Sequence, residues 1–174
     1  MAEQTPNGDR GGRPDPAWWR GQRGEWYVVI QFVLFALIAV GPTEWRGWPA
    51  WAFPDGWLVS AAGIVLIAGG AALAIAGVLK HGPAVSALPY PREGGTLLHT
   101  GPYRFVRHPI YSGAVFIAFG WAIWRHGWLT LVYAALLFLL FDAKARREER
   151  WLVEKFPSYT GYQRRVRKLV PFLY

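Results

Sequence analysis

The chain has 174 residues, 53% of them hydrophobic, with a net charge of +8, 11 Trp and no Cys. That length allows one domain, and the lack of Cys excludes disulfides, thiol catalysis and Cys-ligated metals. Long apolar runs alternate with very basic stretches, the pattern of an all-α polytopic membrane bundle rather than a soluble domain. Because the charge flanks the apolar runs, anionic lipid headgroups and membrane topology explain it more simply than nucleic acid does.

Residues 1–24 are rich in Gly, Pro, Asp and Arg and read as a disordered cytoplasmic tail. The first apolar run, near 26–41, is short for a crossing and stops at Gly41-Pro42. Residues 42–56, with Trp45, Trp48 and Trp51, read as a loop anchored among lipid headgroups by indoles. The second run, 57–79, contains no charge. Its Gly63, Gly69, Gly70 and Gly77 permit close helix–helix approach.

Lys80–Arg107 is a long polar connection broken by Pro83, Pro89, Pro91 and Gly94-Gly95, and His81 at its start receives no role. Runs near 110–124 and 128–142 are together too long for one crossing. Arg125-His126-Gly127 between them predicts a tight helical hairpin with Arg125 and His126 facing water. Four spans put both termini, the basic loop and the basic tail on one side, which the positive-inside rule makes the cytoplasm. Beyond the last run, Lys144–Phe156 reads as a continuing amphipathic helix. Lys144 and Glu148 are spaced i,i+4, so pairing on the helix surface competes with a functional reading of Glu148-Glu149. The basic segment Arg164–Lys168 reads as a lipid-phosphate contact.

The chemistry-bearing stretch is Gly101–Gly113, where Tyr103, Arg107, His108, Pro109 and Tyr111 crowd the start of the third run. Pro109 suits the first turn of a helix. His108 then sits at a helix N-terminus, where free N–H groups favour a ligand's anionic group, and Arg107 can grip a carboxylate at two points. An interfacial anchor of Arg and Tyr is the simpler reading for Arg104, but it does not explain the whole group.

Gly101-Pro102-Tyr103, Arg107-His108-Pro109 with Tyr111 and Gly113, then Glu148-Glu149 with Leu152, Phe156, Tyr159, Tyr162 and Pro171 resemble the isoprenylcysteine carboxyl methyltransferase family, including small bacterial members and the related phospholipid N-methyltransferases. The likeness covers residues 88–174. It implies a multi-pass enzyme of the bacterial inner membrane that uses S-adenosylmethionine and methylates a lipophilic small molecule or lipid, with no metal. The cofactor pocket would come from 95–113 and 144–162. Cofactor contacts would fall on Thr96, Leu97, Leu98, Tyr103, His108, Pro109, Ile110, Tyr111 and Glu148. Arg107, Glu148 and Glu149 would be catalytic, and Arg107 and Lys144 would meet the acceptor. Gly95 stands where eukaryotic members have His, Lys144 where they have Arg, and Phe156-Pro157 where the family has Phe-Gly, one residue closer to the tyrosines. These departures bear on the acceptor, not on the cofactor pocket. Two alternatives stand beside this one: a membrane NADPH-dependent reductase of sterol type, whose C-terminal region is similar, and a non-enzymatic lipid-binding scaffold.

Overall fold

A computed structural model describes residues 24–47, 51, 56–82 and 97–174, and it is all-helical there. The helices are α1 (Glu25–Val40), α2 (Trp57–His81), α3 (Pro109–Trp124), α4 (Trp128–Lys155) and α5 (Tyr159–Arg165). A short 3-10 turn, Gly101–Arg104, precedes α3 and opens on Gly101 at φ 64. The expected tail, apart from Gly24, and Thr96 lie outside the described residues.

The four apolar runs are helices within a residue or two of their expected bounds, and α4 does run on past the apolar run to Lys155. Two of them, α2 and α4, are long and apolar enough to cross a membrane. The most apolar window of α2 has a mean hydropathy of 2.4, yet only 17% of it is buried by protein. So much exposed hydrocarbon calls for a non-aqueous surround. The 16 residues of α1 and of α3 span only about 24 Å each, against a hydrocarbon core of about 30 Å.

In space the order is α2, α3, α4, α1. Leu34 and Ile38 of α1, Val115 and Ala118 of α3, and Ala134, Leu137 and Phe141 of α4 form the core. At its glycines the α2–α3 seam brings the two main chains close together. A Cβ built on Gly63 would lie 2.8 Å from the Gly120 carbonyl oxygen, and one on Gly70 would lie 2.6 Å from that of Gly113. Gly77 meets Ile110 and Pro109 at the start of α3. Gly69 does not share this duty, since nothing lies within 4 Å of its Cβ position. It is one residue off the seven-residue repeat that keeps 63, 70 and 77 on one face.

The hairpin turn after α3 is as tight as expected, but only Arg125 is exposed. His126 is half-buried at φ 50, and Trp51 from the loop after α1 meets its ring edge-on at 5.7 Å and lies 4.9 Å from Trp128. Trp45 is exposed as a belt residue would be, while Trp48 lies outside the described residues.

Candidate active site

Helix α3 begins where proline puts it. His108 is its N-cap, and Pro109 sits at N1, where the missing N–H removes no helix bond. The amides of Arg107 and His108 donate instead to the carbonyls of Arg167 and Lys168, at 2.8 and 3.2 Å. Val106 and Arg167 thus form an isolated parallel bridge. The basic segment 164–168 therefore contributes main chain to the site. Lys168 is further engaged with Asp142 at 2.6 Å, leaving Arg164, Arg165 and Arg167 as the exposed cations.

Arg107, His108 and Tyr111 all reach the charged half of α4. Arg107 grips Glu149 at two points, Nε to Oε1 at 2.6 Å and Nη2 to Oε2 at 3.3 Å. Its Nη1 donates to the carbonyls of Gln163, at 3.0 Å, and Val166. His108 Nε2 lies 3.0 Å from Glu149 Oε1, and Gln163 Nε2 donates to Oε2 at 3.1 Å. Burial by itself would raise the Glu149 carboxyl, but hydrogen bonds from His108 and Arg107, with their charges, outweigh it and hold the group at about 2. The fork expected to hold an acceptor is thus occupied by protein.

Glu148 points the other way. Tyr111 Oη donates to Glu148 Oε2 at 3.1 Å, and His108 Nδ1 lies 3.7 Å from the same oxygen. Glu148 lines a cavity of about 340 Å³, within the range of small-molecule sites, and Glu149 does not. The cavity brings together Leu97, Leu98, Tyr103, Arg107, His108, Pro109, Ile110, Tyr111, Lys144 and Glu148. The rings of His108, Tyr111 and Phe141 run nearly parallel along one wall, with centroids 5.4 and 4.8 Å apart.

Lys144 closes that wall, its Nζ 5.0 Å from the Tyr111 ring centroid and 5.6 Å from that of Phe141. It is 1% exposed and donates a hydrogen bond to Gln31 Oε1 of α1, at 2.7 Å. No carboxylate among the described residues forms an ion pair with it, so the i,i+4 pairing with Glu148 does not form. Burial lowers its ammonium to about 8, against the opposing charge of Glu148.

Tyr159 and Tyr162, from the expected 144–162 segment, also line the cavity, as do Gln31, Phe35, His81 and Phe141, which were not singled out for it from sequence. His81 Nδ1 lies 3.2 Å from Tyr103 Oη. Burial, with a smaller effect of Glu148, pushes that phenol up to about 12. Tyr162 in turn donates to the Tyr103 carbonyl. Gln31 did carry a signal, as a lone amide inside an apolar helix.

The cavity lining therefore includes a carboxylate, a buried ammonium one turn before it on α4, aromatic rings and the opening turn of α3. It suits a ligand with cationic and anionic centres on an apolar body. The phospholipid methyltransferase family model matches residues 58–158, which span α2 to the start of α5 and carry most of this wall. The chain belongs to the phospholipid methyltransferase family. Among relatives, the cobalt-zinc-cadmium resistance protein CzcN of Cupriavidus metallidurans is 32% identical over 155 residues, 88% of this chain and 65% of its own length. The nickel-cobalt-cadmium resistance protein NccN of Alcaligenes xylosoxydans xylosoxydans is likewise 32% identical over 155 residues, 88% of this chain and 66% of its own length. The chain thus spans just under two thirds of each relative. The family match stands at the level of phospholipid methyltransferases rather than of isoprenylcysteine carboxyl methyltransferases.

Proposed function

We propose that the protein is a four-span membrane enzyme, both termini cytoplasmic, that transfers a methyl group from S-adenosylmethionine to a lipophilic acceptor at the cytoplasmic face. The observation that carries this is the pairing of Tyr111 with Glu148 across 37 residues, inside the family-matched segment and on the cavity wall. The residues fit the cofactor. Glu148 would take its amino group or a ribose hydroxyl, and the free N–H groups of Ile110 and Tyr111 at the start of α3 would take its carboxylate. Tyr103 offers an aromatic surface to a sulfonium, while the Tyr111 ring is stacked on His108 and Phe141 and serves by positioning Glu148. When bound, the cofactor supplies a methyl group already activated on sulfur.

The protein's part is to align the acceptor and exclude water. Arg107 and Glu149 act by holding His108 and the α3 turn in place. Lys144, a buried cation with no carboxylate partner among the described residues, orients an acceptor's anionic group, either a carboxylate as in isoprenylcysteine methyl esterification or a lipid phosphate. A carboxylate acceptor needs no general base. An acceptor that loses a proton would leave His108 as the nearest imidazole.

Incubating the purified protein with methyl-labelled S-adenosylmethionine and a lipid extract, followed by mass spectrometry, should yield labelled lipid. None from any extract would count against the proposal. Lys144→Met should raise KM for the acceptor about tenfold or more, the loss of a charged contact, with cofactor affinity unchanged. In the unsubstituted protein that KM should rise as pH passes 8 and the ammonium loses its proton. The methionine variant should lack this limb. The relatives' names suggest a consequence in the cell: loss of the protein should increase sensitivity to cobalt or cadmium, which growth curves would read.

A further inference from the structure

Residues 166–174 fold into a hook against the boundary between the apolar and charged halves of α4, at Asp142. Lys168 Nζ and Tyr174 Oη both donate to Asp142 Oδ1, at 2.6 and 3.0 Å, and Arg146 Nε takes the other oxygen at 2.7 Å. The amides of Leu169 and Val170 donate to the main-chain oxygen of Tyr174, at 2.8 and 2.7 Å. Leu169 is buried beneath, and the Tyr174 ring lies 6.1 Å from that of Phe138, one turn inside the apolar half. The hook is therefore closed on itself and pinned at a defined height.

Its tip points away from the protein. Phe172 and Leu173 are 78% and 79% exposed, and Phe172 adopts φ 67, a backbone region disfavoured for a bulky side chain. Water is a poor environment for two adjacent large apolar side chains held rigidly outward. Consecutive Cα atoms are about 3.8 Å apart, so the Cα atoms of both residues lie within about 8 Å of that of Tyr174 and hence near the level where the apolar run of α4 ends. Arg167 is exposed on the hook, and Arg164 and Arg165 are exposed at the end of α5 just before it.

We propose that this hook is a second membrane contact, separate from the spanning helices. Phe172 and Leu173 insert at the boundary of headgroup and hydrocarbon, and the three arginines meet lipid phosphates beside them. The hook's main chain also holds Arg107 and His108, so the depth at which it seats in lipid fixes the height of the α3 turn relative to the bilayer.

The chain has no Cys, so Leu173→Cys places a unique spin label at the tip. In vesicles containing anionic phosphatidylglycerol, two labels bracket it: Ile75→Cys on the exposed apolar face of α2, and Ser158→Cys at the exposed start of α5. The label at 173 should collide with dissolved oxygen more than with a water-soluble nickel chelate, with a ratio between those of the two references. A nickel accessibility equal to that at 158 would overturn the proposal by placing the tip in water. Spin–spin broadening with low access to both reagents would overturn it in favour of a second copy of the chain. If the label at 75 also met nickel freely, the failure would lie with the membrane embedding of α2.

Discussion

Replacing Glu149 with alanine is expected to destabilise the fold by about 3–5 kcal/mol, the usual consequence of stranding one side of a buried ion pair. The Glu149 side chain is 9% exposed, as is that of Arg107, and it receives Arg107 Nε and Nη2, His108 Nε2 and Gln163 Nε2. Removing it leaves four N–H donors, two of them on the Arg107 guanidinium, without their carboxylate between α3 and α4. The acid limb of stability follows from the same contacts. The Glu149 carboxyl is depressed from 4.5 to about 2, so its contribution is complete above the unfolded value and is lost as pH falls from about 4.5 towards 2. By linkage that contribution is about 3 kcal/mol. Thermal unfolding in detergent should show a Glu149→Gln variant that melts well below the parent at pH 7 and approaches it near pH 2. Equal melting at pH 7 would mean that the Arg107–Glu149 grip does not hold the two helices together.

Gly70→Leu and Gly113→Leu are expected to be comparably damaging, about 3 kcal/mol or more, because neither position has space for a side chain. The nearest neighbour of a Cβ on Gly70 is the carbonyl oxygen of Gly113, and the reverse holds for Gly113. Main chain cannot rotate aside as a flexible side chain can, so α2 and α3 must separate. Separation would also move Pro109 and Ile110, which pack on Gly77 and line the cavity. Gly69→Leu is the control. Nothing lies within 4 Å of that position, and leucine is the better helix former, so stability should hold or rise slightly. If Gly69→Leu were the damaging substitution and Gly70→Leu neutral, the α2–α3 seam would be wrong.

The comparison of sequence with structure divides along physical lines. The four apolar helices, the hairpin and the Pro109 helix start were legible because periodicity, length and proline chemistry are local. The meeting of the turn before α3 with the charged half of α4 was legible only through the motif resemblance. Nothing local distinguishes Glu148, which faces the cavity, from Glu149, which faces Arg107. One residue along a helix turns the side chain by about 100°, and only the packing of α5 and the 163–168 main chain fixes which carboxylate is which. Arg107 shows the same limit, since two of its four acceptors are backbone carbonyls of residues 163 and 166, about 56 to 59 positions away. No residue type announces a carbonyl. Gln31 was detectable as a polar residue in an apolar helix, but its partner Lys144 was not, being 113 residues distant.

The most direct measurement is calorimetric titration of S-adenosylmethionine into the detergent-purified protein. One site per chain is expected, with affinity at least tenfold weaker in Glu148→Ala, where a charged contact is lost, and unchanged in Lys144→Met. No binding, an affinity indifferent to Glu148, or a preference for NADPH would contradict a cavity built for a methyl donor.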